Sequence, residues 1–308
     1  MKVALLGASS QIAKGLLKIF IQDEGHQMHL FTRDLSSFQQ WIKSNKINSS
    51  HLSANSLEAF NHAVEYDLII NFIGIGDPSK AINMGASIFD ITYDYDHLVL
   101  NYLSMHPKTK YIFMSSGVVY GDIFEHPASM DSKAIININS LQHTDWYAMA
   151  KLYAEARHRA LQELCIIDIR VFNYISSDID LGSRFLISDA LRAINNKEIL
   201  KTNDHNIFRD YIGPEDLHQL ILRLIDQPFL NKSVDCFTSK VTDKFSILEL
   251  LRLNFGLQYE VVKSQAGIDA YGSRDNYFSI NQQAGDYGYK PLYTSLENIF
   301  KASEELLI

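Results

Sequence analysis

Lys2-Val3-Ala4-Leu5-Leu6-Gly7-Ala8-Ser9-Ser10-Gln11-Ile12-Ala13-Lys14-Gly15 is the stretch whose reading decides the fold. Its first residues form a short apolar run that stops at a glycine, and Leu16, Leu17, Ile19 and Phe20 then recur with helical spacing. The order is strand, small-residue turn, helix. Such a turn must accept unusual φ/ψ and must let the backbone N–H groups of Gln11 and Ile12, at the helix start, approach a pyrophosphate. Gly7 meets the first demand. Ser10 and Ala13 stand where the dinucleotide fingerprint has its later glycines; both are small, but the motif is degenerate, and an ordinary βα turn would read the same way. A second strand over 26–32 ends at Arg33. An acid at that strand end would accept hydrogen bonds from a ribose 2′-OH, whereas an arginine suits a 2′-phosphate. Arg33 therefore tilts the expected cofactor towards NADP(H), with NAD(H) left open and a solvated surface arginine as the plain alternative.

Strand and helix patterns go on alternating. The sequence predicts a short helix over 57–64, a buried parallel strand over 67–74 ending at Gly74, a long helix over 88–103, a strand over 110–114 with Ser116 at its carboxyl end, a helix to about 163, and a strand over 165–172 followed by Asn173. Ligands of open α/β sheets bind outside the carboxyl ends of strands, and Gly7, Gly74, Ser116 and Asn173 all fall at such ends. Past residue 176 the pieces shorten: helices over 185–194, 215–225 and 247–255, and strands near 208–212, 236–239 and 259–262. The expected architecture is α/β, a doubly wound parallel sheet (Rossmann) over 1–175 completed by strands from the 200–240 region. A smaller, interleaved C-terminal α/β substrate lobe fills 176–308.

Tyr147 and Lys151 lie four residues apart in the helix that follows Ser116, so they project from one face. A cation beside a phenol favours the phenolate, and bringing a phenol from about 10 to neutrality takes roughly 3 pKa units, or about 4 kcal/mol. Tyr147 is thus a candidate general acid/base and Ser116 a candidate hydroxyl to hold a substrate oxygen whose charge changes. On its own, Tyr-x-x-x-Lys also describes an amphipathic helix with a half-buried tyrosine and a snorkelling lysine.

The bulk properties suit an ordinary globular enzyme: 46% hydrophobic and 21% charged residues over 308 positions. No apolar run reaches about 18 residues and no leader-like segment opens the sequence, so neither a membrane span nor secretion is expected, and the cytoplasm is the expected location. Cys165 and Cys236 cannot build a disulfide framework. The 11 histidines show no ligand spacing, so no metal is expected, and a net charge of −8 disfavours nonspecific nucleic-acid binding. An anionic substrate would need its own cluster of arginines.

Taken in order, Gly7-x-x-Ser10-x-x-Ala13, Ser115-Ser116-Gly117-Val118-Val119-Tyr120-Gly121, Tyr147-x-x-x-Lys151 and Arg170-Val171-Phe172-Asn173 resemble the extended short-chain dehydrogenases/reductases. Phe208-Arg209-Asp210-Tyr211-Ile212 and the Gly288-Tyr289-Lys290-Pro291-Leu292 ending, with Ser295-Leu296-Glu297, look like the nucleotide-sugar epimerase/dehydratase branch, so the resemblance spans essentially the whole chain. It implies that Ser116 and Tyr147 hold the reacting sugar oxygen, that Tyr147 moves the proton, and that Lys151 binds the nicotinamide ribose while depressing the Tyr147 pKa. It further implies that Asn173, Arg209 and Arg274 contact the nucleotide diphosphate. Chemically this is sensible, because a diphosphate needs fixed amide and cationic donors. For Arg209 an ion pair with Asp210 or Glu215 is the alternative, and for Arg274 a surface salt bridge.

Departures from the branch pattern narrow the chemistry. Similar dehydratases carry an acid and a carboxylate base directly after the catalytic hydroxyl, and combined epimerase/reductases tend to place a cysteine first; here Gly117 and Val118 stand instead. What remains is hydride transfer alone, either reduction of a 4-keto sugar, which Arg33 and NADPH favour, or 4-epimerisation through a transient ketone. A noncatalytic NAD(P)-binding sensor is the reading of another class, favoured by the weakened glycine fingerprint. Thr92 replaces a usual asparagine, and Gly74 and Gly76 keep the cofactor floor small. Apolar faces on the 88–103 and 147–163 helices match the family's four-helix contact and predict a homodimer.

Overall fold

The computed structural model describes residues 1–22, 25–48, 50–74, 83–263 and 274–307. Gly76 lies outside them.

The described elements are β1 (Lys2–Leu6), α1 (Gln11–Phe20), β2 (Gln27–Thr32), α2 (Leu35–Ser44), β3 (Leu52–Ser56), β4 (Leu68–Asn71), α3 (Ser87–Met105), β5 (Lys110–Ser116), α4 (His143–Ala160), β6 (Ile166–Val171) and β7 (Asn173–Tyr174). They continue as α5 (Leu186–Asn196), β8 (Ile199–Asn203), β9 (Phe208–Arg209), β10 (Tyr211–Ile212), α6 (Pro214–Ile225), β11 (Lys232–Asp235), β12 (Thr242–Asp243), α7 (Lys244–Phe255), β13 (Gln258–Val262), β14 (Asn276–Tyr277) and α8 (Ser295–Leu307). Seven strands form one parallel sheet in the order β11-β6-β5-β4-β1-β2-β3. The order reverses at β1 and β4, and a crevice opens outside the carboxyl ends of those strands.

Burial on both faces explains why the sheet's sequence runs are nearly all apolar. In β1, Val3 and Leu5 join Leu16, Leu17 and Phe20 of α1 and Leu217, Leu220, Ile221 and Leu224 of α6 in one layer. Ala4 and Leu6 point the other way, into Val99, Tyr102 and Leu103 of α3 and Ala154 of α4. A separate core, built from Leu186, Ile187 and Leu191 of α5, Ile247, Leu248 and Leu251 of α7 and Ile299 of α8, supports the small parallel pair β8–β13; β12-β9-β14 form a further three-stranded sheet.

Two predicted elements are corrected. The helix expected over 57–64 is a single 3-10 turn, Leu57–Ala59. Asn61 ends it by accepting from the Ala63 N–H at 2.9 Å, the local side-chain bond that competes with a helix. The strand expected over 236–239 lies earlier, at Lys232–Asp235. Its polar Asp235 is tolerated there because Tyr120, Arg170 and Ser279 all donate to the carboxylate.

Candidate functional site

The turn after β1 is shaped by what it must fit. Gly7 has φ +75°, and a Cβ there would come within 3.1–3.2 Å of Ile73 and Phe72, the residues that follow β4. Its N–H and that of Ala8 both donate to Phe31 O at the end of β2. Ser10 caps α1 by accepting from Ala13 N at 3.2 Å, and Gln11 and Ile12 open the helix. The Gln11 side-chain amide nitrogen is buried without a partner among the described residues. At the end of β2, Thr32 donates to Ser9 at 2.9 Å, while Arg33 is exposed and makes no ion pair among the described residues. A close-approach glycine, free helix-start N–H groups, an orphaned amide and an unpaired arginine fit a dinucleotide phosphate chain.

One strand further along, Gly74 and Lys151 meet. A Cβ on Gly74 would sit 3.1 Å from Lys151 Nζ. Lys151 is 2% exposed, donates to Met114 O at 2.8 Å and lies 4.1 Å from the centre of the Phe113 ring. Burial draws its pKa down to about 8, against the opposing pull of Asp96, Asp168 and Glu155.

Tyr147 has its ring centre 5.8 Å from Lys151 Nζ. Its phenol is held well above the ordinary value, first by loss of water and then by Tyr277, with a Ser116 hydrogen bond pulling the other way. The Lys151 ammonium is directed at the Met114 carbonyl.

Ser116 ends β5, and its hydroxyl lies 3.2 Å from the Tyr277 hydroxyl. Sequence reasoning missed Tyr277; its only signal was its place three residues after Arg274. The residue that follows Ser116 is fixed by packing: a Cβ at Gly117 would lie 2.3 Å from the Phe172 ring. A side chain at 117 would therefore collide with the floor of the site.

Tyr277 also gathers the arginines. Its ring centre lies 5.3 Å from the Arg274 guanidinium and 5.9 Å from that of Arg209, and Asn173 Nδ2 faces its carbonyl at 3.4 Å. Arg209 is 6% exposed and, among the described residues, bonds only to carbonyls: Phe208 and Arg274 at 2.8 Å and Asp275 at 3.4 Å. Burial, with Arg274 nearby, lowers its pKa. The acids expected as partners are taken. Asp210 accepts from Thr238 and Ser295, and Glu215 pairs with Lys301. A buried guanidinium with no carboxylate, beside a second one, is suited to an anion.

Further back, His158 bridges Asp96 and Asp168 at 2.7 and 2.6 Å, all three buried. Among the described residues no group of three His, Cys, Asp or Glu side chains could hold a metal ion, and no helix is long and apolar enough to cross a membrane.

The comparisons with known proteins agree with this geometry. A sequence profile of the NAD dependent epimerase/dehydratase family matches residues 3–235. No curated protein matches the chain. Among solved structures, UDP-glucuronic acid 4-epimerase from Bacillus cereus, in complex with NAD, superposes with a TM-score of 0.78 at 14% identity, covering 100% of this chain and 98% of that one. UDP-glucose 4-epimerase from Bifidobacterium longum, with NAD+ and UDP, gives 0.78 at 16% identity over 99% and 98%. RMD from Pseudomonas aeruginosa, complexed with NADPH, gives 0.72 at 16% over 99% and 98%. At these identities the likeness is one of fold. The profile match shows the family: the chain belongs to the NAD dependent epimerase/dehydratase family and is an NAD(P)-dependent enzyme of it.

Proposed function

We propose that the protein transfers hydride at C4 of a nucleotide-linked sugar, reducing a 4-keto sugar with NADPH. The observation that carries this reading is the meeting of Ser116, Tyr147 and Lys151 beside Gly74, at the point where strand order reverses. Gly7, Ser10, Gln11 and Ile12 would hold the pyrophosphate of a nicotinamide dinucleotide, Gly74 would leave room for it, Arg33 would take the 2′-phosphate and Lys151 would bind the ribose; when bound, the group would supply the hydride.

Ser116 donates to the sugar oxygen, and Tyr147 gives it a proton as the ketone becomes an alcohol. A phenol, with an ordinary pKa of about 10, is protonated at neutral pH and can donate. Arg209, Arg274 and Asn173 hold the diphosphate. Because Phe172 closes position 117, no acid can stand where dehydratases keep one, which disfavours elimination.

The second reading, 4-epimerisation with a retained NAD, is favoured by the solved 4-epimerases of the same fold. A homodimer is proposed through the outer face of α3 and α4. Tyr93 and Tyr153 stand 39% and 55% exposed there, around a cavity of about 240 Å³, with Arg157 stacked on both rings.

The test is a thermal-shift panel of NAD(H), NADP(H) and UDP-, GDP-, CDP- and dTDP-linked ligands, in which a specific ligand raises Tm as RT ln(1 + [L]/Kd) grows. Ligands that stabilise are then assayed: NADPH consumed in step with product marks the reductase, and epimer formed with no net cofactor change marks the epimerase. Absence of any nucleotide-sugar shift in the parent, or a shift that Arg209→Ala leaves unchanged, contradicts the substrate class.

A further inference from the structure

Tyr147, Lys151 and Glu155 recur every fourth residue along α4, and the third of them lies behind the pocket. Glu155 is 3% exposed, and four donors from three strands converge on its carboxylate. Ser115 Oγ of β5 donates to Oε1 at 2.5 Å. Arg170 of β6 donates through Nε to Oε1 and Oε2 at 3.1 and 3.2 Å, and through Nη2 to Oε2 at 2.6 Å. Ser233 Oγ of β11 lies 3.1 Å from both Oε2 and Asp168 Oδ2 and shares its one proton between the two carboxylates.

The chain of bonds continues. Arg170 Nη1 donates to the Tyr120 hydroxyl at 2.8 Å and approaches Asp235 at 3.4 Å, and Asp235 accepts from Ser279 at 2.7 Å. Ser279 lies two residues past Tyr277, and Ser115 one residue before Ser116. One buried carboxylate is thus tied to the strand that carries Ser116 and, through Arg170 and Asp235, to the segment that carries Tyr277.

We propose that Glu155 is a positioning residue. It fixes the height and rotation of α4 against the ends of β5, β6 and β11, so that Ser116, Tyr147, Lys151 and Tyr277 meet in one geometry; its role in turnover rests on the catalytic reading given above. A buried ion pair is a costly route to stability, and an apolar pair of similar volume often serves as well or better. What the polar arrangement adds is direction. Four donors accept the carboxylate in one placement, whereas an apolar contact would allow α4 to slide. The same carboxylate acts on Lys151 together with Asp96 of α3 and Asp168 of β6, the three acids that oppose the effect of its burial.

The experiment uses full-length protein carrying 13Cε-lysine, with the Lys151 resonance identified by its loss in Lys151→Met. In Glu155→Gln the titration midpoint of that resonance is expected to fall by half a unit or more, and an unmoved midpoint in a folded variant overturns the proposal. Because loss of the Glu155 charge alone lowers that midpoint, the positional test is carried by Ser115→Ala, which keeps the Glu155–Arg170 pair and its charge. Its Lys151 resonance is expected to move, and an unmoved one overturns the proposal. These readings need no substrate, so a parent protein without turnover on any nucleotide sugar counts against the proposed function and leaves them intact. With a substrate in hand, kcat is expected to fall at least tenfold while KM stays within threefold; an unchanged kcat overturns the positioning role.

Discussion

The Tyr277 hydroxyl lies 3.2 Å from Ser116 Oγ, while the centre of the Tyr277 ring lies 5.9 Å from the Arg209 guanidinium and 5.3 Å from that of Arg274. One side chain therefore joins the candidate diphosphate donors to the hydroxyl at the end of β5. Tyr277→Phe keeps the ring and removes the bond. We expect a stability loss of about 0.5–1.5 kcal/mol, the usual net worth of one hydrogen bond, and a kcat reduced about fivefold. Diphosphate binding should hold within threefold, because the ring platform remains. Thermal unfolding and steady-state kinetics check both parts.

Gly117 lies under the Phe172 ring with no space for a Cβ. Gly117→Ala should destabilise the protein by about 1–3 kcal/mol, the usual cost of overpacking. Phe172→Leu in the same chain should recover at least half of that loss. Equal loss in the single and double variants would show that the contact does not govern position 117.

His158 supplies a pH dependence whose sign follows from its partners. Burial pulls its pKa down, but Asp168 and Asp96 outweigh that and raise it to about 9, above the ordinary histidine value of 6.5. A group whose folded pKa is raised contributes stability that is fully present below the unfolded value and is lost as pH rises through the folded one. The parent should therefore lose stability relative to His158→Gln between about pH 6.5 and 9. Lys151, shifted downward, acts with the opposite sign but is common to both proteins, so the difference isolates His158. Chemical denaturation of both at intervals across this range is the measurement; parallel curves contradict the assignment.

Much of the fold was legible because its strongest signals are local. A buried parallel strand reads as a continuous apolar run, and the Gly7 turn, the Ser116 strand end and the Tyr147–Lys151 spacing are each contained within a few consecutive residues. What was not legible depended on partners distant in sequence. α2 buries only Phe38, too thin a stripe to announce a helix. Asp235 looks out of place in a strand until Tyr120, Arg170 and Ser279 are seen around it. Tyr277 reaches Ser116 across 161 residues of sequence, and no periodicity records that contact.

The central claim is that Tyr147 carries the proton in a hydride transfer, and Tyr147→Phe tests it most directly. The parent and the variant are mixed with the cofactor and nucleotide sugar that raise the parent's Tm most, and cofactor absorbance and sugar product are followed together. The account predicts that kcat falls by about 10² to 10⁴, the range typical of a lost general acid, while cofactor affinity changes less than threefold. A variant that turns over at the parent's rate with the same cofactor affinity would contradict it.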